Sequence, residues 1–324
     1  MHKILFILNY GRNLGLGHLS RCSIIAKCYR ENGISTHLLT KSCSSPENEK
    51  LNSFNFLHFY NENYLIKEFL DLYKNHLFST IVIDDYLIDY KKIISNVESH
   101  TKVLRFDLEP DLQDKSSITI NYNPCYKNND INHLIGPDYI LIDNKFKNLQ
   151  RKLTNDEVFV FFGGGDDYSA IDKFSDYLNF LSSRHSRVNI AITKLYKNKE
   201  AIIKKYKSNS SFNVLIDSEN YPEILNNCMF ALTSGGTITY ESAFLEIPMQ
   251  IVSVADNQVK QSQAWDEHNN AKYVGSVQSV DSMMLKNSYK QFFSDQNEIN
   301  KWFKRKSIMV DGYGAERIMN HTTG

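Results

Sequence analysis

The sequence predicts an α/β protein made of two Rossmann-like domains that face a cleft. Three observations carry this expectation. The apolar runs KILFIL, at Lys3–Leu8, and VFVFF, at Val158–Phe162, have the length and content of central parallel strands. A glycine-bearing loop follows each one directly, Asn9–Gly17 after the first and Gly163–Gly165 after the second. Beyond each loop, helical and strand-like segments alternate, the order that builds a parallel sheet covered by helices.

In the first series, His18 opens an amphipathic helix in which Leu19, Cys22, Ile25 and Ala26 face a core, and Gly33 ends it. Ser35–Thr40 is the next strand. The stretch from Ser42 to about Glu68 is first polar, then rich in Phe, Tyr and Asn, and reads as loop and irregular structure, an insertion. Strands at Thr80–Ile83, Val103–Phe106 and Ile118–Ile120 deliver Asp84-Asp85-Tyr86, Asp107, and Asn121 with Asn123 to the edge that bears the first glycine loop. The first domain closes near Phe146, which sets the domains at 1–148 and 149–324 around the charged linker Lys147–Asp156.

The second series continues with a helix at Ala170–Ser182, strands at Val188–Thr193 and Phe212–Ile216, and a short helix at Tyr221–Cys228. The buried strand Met229–Leu232 then leads into Ser234-Gly235-Gly236, and a helix starts at Thr237. Strand Met249–Val254 ends in Ala255-Asp256-Asn257-Gln258. The tail from Asn297 to Met319 reads as one or two helices interrupted near Asp311–Gly314, the last free to pack back on the first domain.

Composition narrows the function classes. With 324 residues, 42% hydrophobic and 23% charged, and a formal net charge of zero, the chain lacks the basic excess of a nucleic-acid binder or an anionic-membrane binder. Five cysteines without a CxxC pair or metal spacing suit reduced thiols in a cytoplasm, and no apolar run is long enough to span a membrane. Met1-His2-Lys3-Ile4 enters a strand directly, so no signal peptide is expected.

The candidate chemistry lies at the strand ends. A Gly-Gly turn that opens a helix leaves backbone N–H groups unpaired, and the helix dipole behind them favours a phosphate at Gly235-Gly236-Thr237. Glu241, about one turn in, is placed to accept from the two hydroxyls of a ribose. The same turn also reads as plain strand-to-helix geometry. His18 reads as a general base, since a helix N-terminus disfavours its imidazolium, or equally as a residue that only caps the helix. Adjacent carboxylates on a strand point to opposite faces, so at most one of Asp84 and Asp85 is expected to meet a ligand, the other being solvated or capping the next helix. Gly163–Gly165 permits close backbone approach or makes a tight turn, and Asp166-Asp167 suits a helix N-cap better than a cation.

Taken together, these residues resemble the UDP-2,4-diacetamido-2,4,6-trideoxy-β-L-altropyranose hydrolase family of pseudaminic acid biosynthesis. Gly15-Leu16-Gly17-His18 with Arg21-Cys22 is similar to its GxGHxxRC, and Asp84, Tyr86 and Asp89 to its VDxYxxD. LIGPDY at Leu134–Tyr139, Phe162–Asp166, Gly235–Glu241, the ADNQ of Ala255–Gln258, and Gly312, Gly314, Ala315 and Arg317 extend the likeness over almost the whole chain. Ser20 stands where the family usually has methionine, Phe106 replaces the first aspartate of an IDDL-like segment, and Asp143 sits where arginine is frequent.

The resemblance implies the GT-B fold and an inverting, metal-independent hydrolase with no cofactor, and it assigns roles. His18 is the base, and Gly17, Arg21, Tyr86, Gly164, Ser234, Gly235, Gly236, Thr237, Glu241, Asp256, Asn257 and Gln258 bind the UDP-sugar. A cytoplasmic enzyme without nucleic-acid partner or membrane insertion is expected, with a monomer favoured. The rival readings are a GT-B glycosyltransferase, in which an acceptor hydroxyl replaces water, and a non-catalytic sugar-nucleotide binder.

Overall fold

A computed structural model describes residues 2–11, 16–41, 48–61, 64–111, 113–127, 132–150, 156–163, 169–194 and 196–323. The chain forms two compact units, the first Met1–Leu141 with Gly312–Gly324, the second Ile142–Asp311. No described helix is long and apolar enough to cross a membrane.

The first unit is built on a seven-stranded sheet in the order β3-β2-β1-β4-β5-β6-β7. Its strands are β1 (Lys3–Leu8), β2 (Ser35–Lys41), β3 (Phe56–Tyr60), β4 (Thr80–Asp84), β5 (Lys102–Phe106), β6 (Ile118–Asn121) and β7 (Leu134–Ile135). Neighbouring strands pair in parallel throughout. A parallel sheet is covered on both faces, so its central strands must be apolar all round. Ile4 to Leu8 accordingly have no exposed surface.

The stretch expected to be irregular from Ser42 to about Glu68 holds more order than its composition suggests. It contributes β3, paired with β2 from His37↔Phe56 to Lys41↔Tyr60, and the start of the helix Leu65–His76. β3 lies at the sheet edge and carries no polar alternation, so pairing with β2, not a pattern of its own, makes it a strand. The helix buries Phe69 and Tyr73, four residues apart on one face, a period hidden in sequence by the Asn-rich residues before it.

Helix Gly17–Glu31 buries Leu19, Cys22, Ile25, Ala26, Cys28 and Tyr29. The C-terminal helix Gly314–Thr323 packs along it, with Cys28 Sγ 3.9 Å from Met319 Sδ and Tyr29 hydrogen-bonded to Thr322. A Cβ on Gly314 would stand 2.3 Å from the Ile140 carbonyl oxygen, so only glycine lets this helix start so close to that backbone. Arg317 Nη1 donates to the Asp138 carbonyl at 2.8 Å and fixes the same junction.

Three imidazoles gather at the far end of this sheet from the strand tips. His37 Nδ1 lies 3.0 Å from His58 Nε2, and the His76 ring centroid is 4.8 Å from that of His37. Burial, then His58, His76 and Lys3, lower the His37 pKa to about 4, and burial followed by His76 lowers that of His58. Because the folded state holds these rings neutral, stability is full above the unfolded value near 6.5 and falls as pH drops toward 4. For His37 the loss is expected to be on the order of 2–3 kcal/mol. Urea midpoints measured between these pH values should show it, and His37→Gln should flatten the dependence.

The second unit is built on a six-stranded parallel sheet in the order β10-β9-β8-β11-β12-β13. Its strands are β8 (Glu157–Phe161), β9 (Arg187–Ile192), β10 (Phe212–Ile216), β11 (Phe230–Thr233), β12 (Met249–Ser253) and β13 (Ala271–Ser276). The helix expected over Ala170–Ser182 is two, Ala170–Lys173 and Ser175–Ser182, broken at the fully buried Phe174. The helices Val259–Glu267 and Ser282–Phe292 pack on this sheet beside β13.

Candidate active site

In the first unit the chemistry gathers around Asp84, the last residue of β4, whose side chain has no exposed surface. β4 pairs with β1 (Leu8↔Asp84), so the carboxylate arrives beside the end of β1 and within reach of helix Gly17–Glu31. His18 and Arg21, one turn apart on that helix, both reach it. His18 Nδ1 stands 2.7 Å from Asp84 Oδ1. Arg21 donates to both carboxylate oxygens, through Nε to Oδ2 at 2.5 Å and through Nη2 to Oδ1.

Burial alone would raise the Asp84 carboxyl, but the Arg21 guanidinium, joined by His18, holds it below its ordinary value. Asp84 is therefore ionised and only accepts. The His18 proton then belongs on Nδ1, which donates to Asp84 and leaves Nε2 as the ring nitrogen with a lone pair. Nε2 has no hydrogen-bond partner among the described residues, and the side chain keeps 15% of its surface exposed. Arg21 Nη2 comes within 3.0 Å of His18 Nδ1 because both donors converge on Asp84 Oδ1.

Aromatic rings enclose this group. Tyr86 takes a hydrogen bond from Arg21 Nη2 at 2.8 Å, and its ring meets that of His18 edge-on at 5.1 Å. Phe106 lies under the guanidinium at 4.7 Å, so a cation–π contact occupies the place where an aspartate was the expected residue. Burial pushes the Tyr122 phenol, also bonded to Arg21, up to about 12. Asp85 takes the other direction. It accepts from Asn9 Nδ2 at 2.6 Å and from the Leu87 N–H at 2.8 Å, while Asn9 Oδ1 accepts from Tyr60 and from the Lys41 N–H.

In the second unit, β11 ends at Thr233, and Ser234, which is 1% exposed, leads into the two glycines. The helix that follows is Ile238–Phe244. The Gly235 N–H, expected to be unpaired, donates to Gln258 Oε1 at 3.2 Å, and the same oxygen accepts from the Val254 N–H at 3.0 Å. A Cβ on Gly235 would lie 2.3 Å from Ser262 Oγ and 2.9 Å from Gln258 Cβ, so close approach of two segments requires this glycine. The N–H groups of Gly236 and Thr237 have no acceptor among the described residues. Asp256 and Asn257 are exposed in a short 3-10 turn at the end of β12, and Gln258 closes that turn. Glu241 Oε1 accepts from Tyr221 at 2.9 Å.

The sequence-selected residues thus form two groups. His18, Arg21 and Tyr86 meet in the first unit, with Gly17 exposed at the start of the helix that carries His18 and Arg21. Ser234, Gly235, Gly236, Thr237, Glu241, Asp256, Asn257 and Gln258 line adjacent strand ends in the second. Gly164 and the pair Asp166-Asp167 lie outside the described residues. Asp84 as the partner of His18, and Tyr221 as the partner of Glu241, were not assigned from sequence. For Asp84 the signal was present in its place at a strand end beside the glycine loop. For Tyr221 the pairing arises from two separate helices, and no spacing announces it.

No family model matches the chain. Over 273 residues it is 23% identical to the UDP-2,4-diacetamido-2,4,6-trideoxy-beta-L-altropyranose hydrolase of Campylobacter jejuni, covering 79% of this chain and 93% of that one. Acinetobacter baumannii MurG is similar in structure, with a TM-score of 0.69 at 10% identity over 98% of both chains. The S. aureus MnaA structure with UDP aligns with a TM-score of 0.65 at 13% identity, over 99% of this chain and 96% of that one. The chain has the GT-B fold.

Proposed function

We propose that the chain is an enzyme that hydrolyses a UDP-linked diacetamido-trideoxy sugar to free sugar and UDP, in the biosynthesis of a nonulosonic acid of the pseudaminic type. The observation that carries the reading is the His18–Asp84 pair, in which a buried carboxylate fixes one ring nitrogen and leaves the other able to take a proton. The 23% identity to the Campylobacter jejuni hydrolase supports the substrate class.

In this mechanism His18 Nε2 accepts a proton from water as the water oxygen attacks the anomeric carbon. The new C–O bond forms opposite the breaking bond to the diphosphate oxygen, which leaves with its electron pair as UDP, so the configuration inverts. Asp84 keeps the imidazole in its tautomer and orientation, and Arg21 keeps Asp84 ionised. Arg21 thereby acts through Asp84, while Tyr86, Asp256 and Asn257 orient the sugar and its amide groups. The Gly236 and Thr237 N–H groups meet the diphosphate, where fixed donors favour the departing charge over the ground state. Ser234 and Gly235 shape the turn, Gln258 holds it, and Glu241 accepts from the ribose diol.

Incubation with UDP-2,4-diacetamido-2,4,6-trideoxy sugars and no acceptor tests the reading. Equal amounts of UDP and free sugar are expected. Proton NMR should show the inverted anomer first, and heavy-oxygen water should label the sugar and not the UDP. Turnover only after an acceptor is added would make the enzyme a transferase. Tight binding of the UDP-sugar without turnover would make it a binder.

A further inference from the structure

We infer that Tyr221 is a positioning residue for nucleotide recognition, one that locks the Glu241 carboxylate for a ribose diol. The inference rests on the assignment of Glu241 to the ribose.

Tyr221 begins the helix Tyr221–Asn226, and Glu241 lies on Ile238–Phe244, so the pair joins two segments that follow different strands, β10 and β11. The phenol donates to Glu241 Oε1 at 2.9 Å. Burial raises the Tyr221 pKa and the Glu241 charge raises it further, so at neutral pH the phenol keeps its proton and remains a donor. The ring cannot swing away freely. Phe146 meets it edge-on at 5.7 Å and the Lys145 ammonium stands 4.4 Å from its centroid, both from the helix Asn144–Lys147. That helix is itself fixed by Asp143, whose side chain accepts from the Lys145 N–H.

The consequence is geometric. A glutamate has three side-chain torsions, and a diol is held by two hydrogen bonds only when the carboxylate plane is fixed. A half-buried phenol on one oxygen removes that freedom before the ligand arrives, so the cost of ordering Glu241 does not fall on binding. Tyr221 then matters for a nucleotide with both ribose hydroxyls, and little for one that lacks the second.

The test is calorimetric titration of the full chain with UDP and with 2′-deoxy-UDP. Tyr221→Phe retains the ring and its packing and removes only the donor. We expect UDP to bind about tenfold more weakly to Tyr221→Phe, 2′-deoxy-UDP to bind within about twofold of wild type, and Tyr221→Phe with Glu241→Ala to match Glu241→Ala alone. Equal weakening of both nucleotides, or additive losses in the double variant, would overturn the inference and leave Glu241 on the ribose. Unchanged UDP affinity in Glu241→Ala would remove the ribose assignment, and the inference with it. A thermal melt of Tyr221→Phe matching wild type confirms that the comparison is between folded proteins.

Discussion

His18→Ala is expected to lower turnover of the UDP-sugar by ~10²–10⁴-fold while UDP affinity stays within about twofold of wild type. The expected split follows from where the imidazole stands. His18 belongs to the first unit and the glycine turn and Glu241 to the second, and the proposed mechanism gives His18 the water and not the nucleotide, so UDP affinity is not expected to depend on it. Initial rates of UDP release, alongside titration with UDP, separate the two effects. Equal loss of both would make His18 a structural residue. Replacement by Gln, which keeps a hydrogen bond to Asp84 but supplies no base, should be as inactive as Ala and closer to wild type in stability.

Asp84→Asn should have two large consequences, which can be separated. The first is stability. Arg21 holds both carboxylate oxygens in a group enclosed by Tyr86, Phe106 and Tyr122, and an amide leaves that cation without a counter-charge. Breaking one side of such a buried pair costs about 3–5 kcal/mol. The second is chemical. An amide can present its NH₂ to Nδ1, which moves the His18 proton to Nε2 and removes the base, so turnover should fall by ~10²–10⁴-fold. Adding Arg21→Met to Asp84→Asn separates them, because an apolar side chain relieves the unpaired cation without restoring the tautomer. Urea midpoints should recover in the double variant, and turnover should not. Recovery of both would show that Asp84 acts only through folding.

The sequence exposed the parts of this molecule that depend on local pattern. Ile4–Leu8 and Val158–Val160 are apolar on both faces, and such runs form the middle of a covered parallel sheet. Glycine before a helix marked both strand-end loops for the same local reason. β3 was missed because an edge strand is made by its neighbour, and the pairing His37↔Phe56 has no trace in FLHFY itself. The break at Phe174, whose backbone leaves helical geometry, has no Gly or Pro to mark it in the sequence.

The same distinction runs through the candidate site. His18 and Arg21 are three apart on one helix, so their common face was legible. Their shared target is 63 residues beyond Arg21, and only the register Leu8↔Asp84 brings it to them. In the second unit, the unpaired N–H groups expected at the glycine turn were counted from chain geometry alone. That count could not include a side-chain acceptor from Gln258, which follows Gly235 by 23 residues.

That glutamine couples two pieces of backbone that would otherwise adjust separately. One carbonyl oxygen receives the amide protons of Gly235 and Val254, the first in the turn after β11 and the second at the exit of β12. With Ser262 also tied to the Gln258 carbonyl at 2.7 Å, the glycine turn and the Asp256-Asn257 shelf are joined into a single stiff bracket. Under the proposed mechanism, the backbone that would hold the diphosphate and the residues that would hold the sugar therefore share one side chain as their common support.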